Sequence, residues 1–236
     1  MSSLLRLSGM SCEESGAVIL RDVDLEVSEA GDVVVVQGRS GGGKTTLLKS
    51  IAGLRMYHGS IRFPYPNYQL TPVLPDAPQY RTQVTYVPQR PSLLPGTPQD
   101  FVYQIMQFQA RQSSHDSADK VLARAMETAA GWGVDNALWQ RPWTTLSGGE
   151  AQRVTLAIAL GLDTAEVLLL DEPTSALDAE STRLVEKDLL SEVNSSEARL
   201  KAIVWITHAE EQARRVGTRF LTVENGAVTE VQLPPV

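Results

Sequence analysis

Gly38-Arg39-Ser40-Gly41-Gly42-Gly43-Lys44-Thr45 has the spacing G-x-x-x-x-G-K-[ST] and stands directly after the apolar run Val33–Val36. Glycines in such a loop let successive backbone N–H groups turn toward one anion. A helix opening near Gly43 adds the positive end of its dipole. Lys44 should then reach the β- and γ-phosphates of a nucleotide, the Thr45 hydroxyl should ligate Mg²⁺, and Thr46 is placed to donate near the α-phosphate. A glycine-rich surface turn with a stray lysine would not need every one of these features behind a buried strand. The chemistry is nucleotide binding.

Two more apolar runs end in polar side chains. Val167–Leu170 leads into Asp171-Glu172, where Asp171 is placed to hold Mg²⁺, directly or through water. Glu172 is placed to orient and polarise an attacking water. Adjacent acids also occur in solvated loops; beside a phosphate loop the catalytic assignment is the stronger. Ile203–Ile206 ends in Thr207-His208, and the role expected of His208 is a hydrogen bond to the γ-phosphate that senses hydrolysis. Its plainer alternative is a helix cap. His58 and His115 fall in turn-like or polar segments, so the histidines suggest no metal site. Gln89 follows the run Gln83–Val87 and Pro88. It could complete the Mg²⁺ shell and report nucleotide state, although a loop glutamine alone is only polar surface.

The elements that must carry these residues alternate. Leu4–Met10 and Ala17–Val27 read as an antiparallel ribbon, and Val33–Gln37 as a central strand followed by a helix over Gly43–Ala52. Gly59–Gln79 contains Pro64, Pro66, Pro72, Pro75 and Pro78, and reads as an irregular excursion or edge hairpin. Gln83–Val87 reads as a second buried strand. Helices are expected over Asp100–Gln112 and Ser117–Ala130, forming a helical subdomain over residues 98–145. Then come a helix from Gly148 to Leu162, strand Val167–Leu170, helix Glu180–Val193 and strand Ala202–Ile206. Arg219–Val223 and Ala227–Val231 flank Asn225-Gly226, a two-residue hairpin signal. This order predicts an α/β fold with a mostly parallel sheet, helices on both faces and an antiparallel margin.

Leu146-Ser147-Gly148-Gly149-Glu150-Ala151-Gln152-Arg153 is a second anion-binding candidate. Ser147 can cap a helix whose third residue is Glu150, and the two glycines leave backbone N–H groups open at its positive end. Two phosphate-binding elements so far apart in one chain suggest two copies arranged head to tail.

With these segments the sequence resembles the ATP-binding subunit of ABC transporters over nearly its whole length. The resemblance rests on Gly38–Thr45, Gln89, Leu146–Glu150 with Gln152, Asp171-Glu172, Ser175-Ala176-Leu177-Asp178 and His208, all in family order. It is weakly similar to the small subunits of the iron-export or metal-tolerance type. The resemblance implies a P-loop ATPase core, one ATP-binding domain over residues 1–236, and ATP with Mg²⁺ as ligands. It also implies a sandwich homodimer, each ATP lying between Lys44 with its neighbours on one chain and Ser147, Gly148 and Gly149 on the other, with Asp178 a nucleotide-site residue in the loop Ser175–Asp178 that links the two sites. A multispanning membrane partner would dock near Gln89 and the helical lobe, so Ser92–Thr97 and Phe101–Gln109 are candidate partner-facing residues. Phe101, Ile105 and Phe108 could equally be core. Cys12 stands where the family usually has an aromatic that stacks on adenine, and Arg39 and Gly42 replace the commoner Pro and Ser or Cys.

Composition narrows the function. The chain has 236 residues with 42% hydrophobic content, enough for one large core, and 28 acidic against 21 basic residues for a net charge of −7. That balance argues against a nucleic-acid partner. One cysteine excludes an internal disulfide framework. No apolar stretch is long enough to span a bilayer, and the start does not read as a signal peptide. The expected location is therefore the cytoplasmic face of a membrane, held by the partner. The alternative is a soluble ATPase of the same family in protein or iron–sulfur cluster assembly. A chromosome-type ATPase would need a coiled-coil insertion, which Gly59–Gln79 does not contain.

Overall fold

The structure is a computed structural model describing all residues except 1–2, 29–30, 66–67, 72, 74, 91–94, 112–115 and 233–236; the side chains of 65 and 68–70 are also outside it. Strands Ser3–Glu14 (β1) and Ala17–Ser28 (β2) pair antiparallel and lead to Asp32–Gln37 (β3), the phosphate-type loop and helix Lys44–Ile51 (α1). His58–Tyr65 (β4) and Tyr68–Leu70 (β5) complete a four-stranded antiparallel sheet in the order β2-β1-β4-β5. Helix Ala77–Gln83 (α2) precedes strand Val84–Val87 (β6). Helices Pro98–Met106 (α3), Ala118–Gly131 (α4) and Gly148–Gly161 (α5) follow, with 3₁₀ turns at Gln109–Arg111, Asn136–Gln140 and Trp143–Thr145. The chain then alternates through Val167–Asp171 (β7), Ala179–Asn194 (α6), Ala202–Ile206 (β8) and Glu210–Val216 (α7), and ends in the hairpin Arg219–Glu224 (β9) and Ala227–Val231 (β10). The second sheet runs β10-β9-β3-β8-β7-β6, all parallel except β10.

Alternation along the central strands assigns each side chain to a layer. Val33, Val35, Leu168, Leu170, Ile203 and Trp205 pack with Ala125 of α4, Leu156 of α5 and Leu189 of α6. Val34, Val36, Leu169, Val204 and Ile206 face the other way, against Leu47 and Ile51 of α1 and Leu7 and Met10 of β1. Apart from polar residues at their ends, these strands are apolar at every position because both faces are covered. Val102, Val121 and Trp143 of the helical segment belong to the first cluster, so that segment shares its core with the sheet. Trp132 Nε1 also donates to Asp188 Oδ2 of α6 at 2.8 Å.

Several expected elements differ. Pro78 does not keep its surroundings irregular: it occupies the first turn of α2, where no N–H is needed. The strand after it begins at Val84 and lies at the sheet edge, with Val84 and Val87 buried but Thr85 and Tyr86 only partly so. The helix expected over Asp100–Gln112 starts at Pro98, under a capping box between Thr97 and Asp100, and ends at Met106. Helix α7 was not anticipated; its 7 residues are too few to show a period. Cys12 is buried, 1% exposed, with its Sγ donating to Met56 O at 3.3 Å, so it offers no face to a base.

Helices α4 and α5 meet at Gly161, where a Cβ would lie 2.8 Å from Ala125 Cβ and 2.9 Å from its backbone nitrogen. Gly161→Val should therefore cost about 1–3 kcal/mol through overpacking, read as a lower urea midpoint. An unchanged midpoint would mean the two helices part freely there.

Candidate functional site

Parallel register brings the expected residues to one edge. Val36 of β3 pairs with Ile206 of β8, Ile206 with Asp171 of β7, and Leu170 of β7 with Val87 of β6. The four following loops therefore leave the sheet at about the same height, at the carboxyl ends where open α/β sheets bind ligands.

After β3, Gly38 has φ +140, and a Cβ there would lie 2.4 Å from Val223 O of β9, so glycine alone fits. Arg39 and Ser40 are exposed, and Gly42 N donates to Arg39 O at 3.1 Å. Helix α1 begins at Gly43 with no capping side chain, so no side chain competes with an anion for its first N–H groups. Lys44 is buried and folds back over the loop, its Nζ donating to Gly38 O at 3.0 Å and Arg39 O at 2.9 Å. Burial pulls its pKa down, against the opposing pull of Glu172 and Asp171.

Thr45 Oγ1 donates to Asp171 Oδ1 at 3.2 Å, and Tyr86 OH donates to Asp171 Oδ2 at 2.9 Å. Burial chiefly, and then the Asp171 charge, push the Tyr86 phenol well up, keeping it a neutral donor. Glu172 has φ +47, and its N–H donates to Ile206 O at 3.1 Å. Its carboxylate is gripped from two sides: Gln89 Nε2 donates to Oε2 at 2.8 Å, and His208 Nε2 lies 3.1 Å from Oε1. Gln89, Glu172 and His208, which lie far apart in the sequence, thus form one cluster.

The remaining expected residues group elsewhere. Ser147 Oγ accepts from Glu150 N at 3.3 Å, while Glu150 Oε2 accepts from Ser147 N at 2.7 Å, closing the capping box. Gly148 and Gly149 lie against Ala176 and Leu177. Asp178 caps α6, accepting from Ser181 N at 2.8 Å and Ser181 Oγ at 3.1 Å, bonds that hold its carboxyl below the usual range. None of these contacts is with the phosphate loop. Residues 92–94 and His115 lie outside the described residues.

A family model described as ABC transporter matches residues 20–175. The chain belongs to that family. It is 38% identical over 221 residues to "Aliphatic sulfonates import ATP-binding protein SsuB 3" of Rhodococcus jostii (strain RHA1), covering 93% of this chain and 71% of that one. It is 35% identical to "Protein STAR1" of Oryza sativa subsp. japonica, covering 98% of this chain and 63% of that one. Its fold is similar to that of a dimeric post-hydrolysis structure of the ATP-binding cassette MJ0796 bound to ADP and Pi. There the TM-score is 0.81 at 27% identity, with 98% of this chain and 100% of that chain covered. As an ABC transporter subunit, the chain binds and hydrolyses ATP to power transport.

Within the cassette, two residues had no assigned role in the sequence: Tyr86, described above, and Gln152. Gln152 is 2% exposed on the inner face of α5. Its Nε2 donates to Gln89 O at 3.1 Å and Glu172 O at 3.0 Å, and its Oε1 accepts from Ala176 N at 3.1 Å. One side chain thus holds the loops after β6 and β7 and the Ala176 turn to the helix that Ser147 caps. In the sequence Gln152 stands in the segment that carries the resemblance, with no role of its own beyond being a polar residue among the apolar positions of a helix face.

Beside Gln89, a groove of about 350 Å³ opens between sheet and helical lobe, lined by Tyr86, Val87, Pro88, Phe101, Ile105 and Trp143. Phe101 and Ile105 line the groove and also pack on the core, while Phe108 is exposed. Arg111, whose pKa is lowered by burial, also lines it and donates from Nη1 to Thr164 Oγ1 at 3.0 Å.

Gln152→Leu would leave three part-buried backbone groups without this partner. It should cost about 2–4 kcal/mol in urea unfolding, given about 1–3 kcal/mol for each unsatisfied group and partial relaxation. A change below the error of the fit would show that water replaces the amide.

Proposed function

We propose that Glu172 is the general base of ATP hydrolysis, held in place by Gln89 and His208. The observation that carries this is the carboxylate flanked by both of those side chains, Gln89 Nε2 donating to one oxygen and His208 Nε2 lying 3.1 Å from the other. A base must be fixed within reach of the water it polarises, and a carboxylate held from two directions has little freedom left. Lys44 and the N–H groups of Gly38–Thr46 bind the phosphates. Lys44 exchanges the carbonyls of Gly38 and Arg39 for phosphate oxygens, which moves a desolvated cation onto an anion. The Thr45 hydroxyl beside the buried Asp171 carboxylate is a hard-oxygen donor set of the kind Mg²⁺ takes, with Gln89 as a further candidate ligand. Bound there, Mg²⁺ would supply charge neutralisation at the β- and γ-phosphates. His208, next to Glu172, is the residue that would sense the γ-phosphate.

The chain 1–236 is read as one ATP-binding domain with its helical lobe over 98–145. Ser147, Gly148, Gly149 and Asp178 serve a nucleotide held by a second copy. Their contacts away from the phosphate loop support this, as does the dimeric arrangement of the similar cassette. ATP joins the two copies head to tail, and hydrolysis releases them. The groove beside Gln89 is the docking place for a multispanning partner. It suits an apolar segment carrying a carboxylate for Arg111. Among the described residues no helix is long and apolar enough to cross a membrane. The subunit therefore depends on that partner to sit on the cytoplasmic face, and the partner selects the cargo.

Lys44→Ala should weaken ATP binding about 10- to 100-fold in calorimetry, the loss of one charge-assisted hydrogen bond. Unchanged affinity would overturn the phosphate-loop assignment. Glu172→Gln should bind ATP as before but stop turnover, and with ATP and Mg²⁺ should elute as a dimer in gel filtration. A monomer under those conditions would count against the sandwich.

A further inference from the structure

The side-chain amide of Gln212 in α7 is buried, 5% exposed, and every polar atom of it is engaged. Its Oε1 accepts from Thr207 Oγ1 at 2.6 Å, and its Nε2 donates to Thr174 Oγ1 at 2.8 Å and to Glu186 Oε1 at 2.9 Å. Glu186, buried on α6, is clamped in turn by Arg215 Nε and Nη2, both at 3.0 Å. The Thr207 hydroxyl also accepts from Ala209 N at 3.1 Å, while its own proton goes to Gln212 Oε1, an atom that can only accept.

These partners restrict position 212 to an amide. Thr207 requires an acceptor there, whereas the Glu186 carboxylate requires a donor. An apolar residue answers neither, and a carboxylate would face Glu186 charge to charge. The two threonines belong to the loops that follow β7 and β8: Thr174 comes shortly after Glu172, and Thr207 immediately precedes His208. One buried side chain, outside every motif, therefore joins the two loops whose tips bring His208 Nε2 to 3.1 Å from Glu172 Oε1.

We propose that Gln212 is a positioning residue for hydrolysis, setting the approach of His208 to Glu172 by tying Thr207 and Thr174 to the anchored Glu186–Arg215 pair. The proposal rests on the assignment of Glu172 and His208 made above. It predicts an effect on turnover and none on nucleotide binding, since Gln212 shares no bond with the phosphate loop among the described residues.

The experiment uses the full chain, measuring kcat and KM for ATP together with ATP affinity by calorimetry. The variants are Gln212→Leu, Gln212→Glu, the exchange Glu186→Gln with Gln212→Glu, and Glu172→Gln as control. Gln212→Leu should lower kcat by roughly 10- to 100-fold, the scale of a displaced catalytic group, with ATP affinity preserved. Gln212→Glu should also be slow. The exchange should recover most of the rate, because Glu at 212 again accepts from Thr207 and Gln at 186 supplies the donor. Wild-type kcat in Gln212→Leu, or an exchange no faster than Gln212→Glu alone, would overturn the proposal. If Gln212→Leu does not fold, the comparison of Gln212→Glu with the exchange decides. Turnover persisting in Glu172→Gln would instead overturn the underlying assignment, so the two failures are distinguishable.

Discussion

The structure depends on the level ends of four parallel strands. Val36, Ile206 and Asp171 stand side by side, with Val87 one step away beside Leu170. A slip of one residue in any pair would send its apolar side chains to the opposite face, from the helical layer to the antiparallel layer. Each strand is packed on both faces with side chains of different size and shape, Trp205 against one layer and Val204 against the other. The register is thus determined by packing well away from any ligand. The same register decides that the phosphate loop, Glu172, His208 and Gln89 emerge together.

At that edge the charged groups are supported before any nucleotide is considered. Lys44, desolvated, lies within the field of Asp171 and Glu172, which offset part of its burial penalty. Asp171 takes hydrogen bonds from Thr45 and Tyr86, and Glu172 interacts with Gln89 and His208, so neither carboxylate is left unsupported. Glu172 has a left-handed backbone, which a non-glycine residue holds only when its surroundings enforce it. Its N–H bond to Ile206 O is one such restraint, and the bond from Gln152 to its carbonyl is another. The strain lies at the residue proposed to do the chemistry, where it aims the carboxylate at a fixed point above the sheet.

What could be read from the sequence had local form. A phosphate loop, a pair of acids and a histidine each follow an apolar run, so the strand and its chemical residue are adjacent in the chain. Gln152 and Gln212 have no such form. Their partners lie up to 63 residues away in the chain for Gln152 and 38 for Gln212, and a single buried amide looks the same in sequence as an exposed one. Short elements were hidden for related reasons: α2 because Pro78 starts a helix as readily as it interrupts one, and α7 because seven residues carry too little periodicity. Spacing gives Cys12 a position along β1 but not the face on which its side chain lies, and that face is the core.

Two polar anchors divide the control of Glu172 between them. Gln152 holds its backbone carbonyl, the Gln89 carbonyl and the Ala176 amide from α5, the helix whose start carries Ser147 and the two glycines. Gln212 holds two threonines from α7, Thr174 in the loop after β7 that Gln152 also holds and Thr207 in the loop after β8. A shift of α5 would therefore reach the Glu172 backbone directly through one side chain, while the His208 side stayed tied to Glu186 and Arg215. In the proposed head-to-tail pair, α5 would present its first turn to the other copy's nucleotide. The contact that closes the second site and the bond that steadies the first would then be two ends of one helix, joined by Gln152.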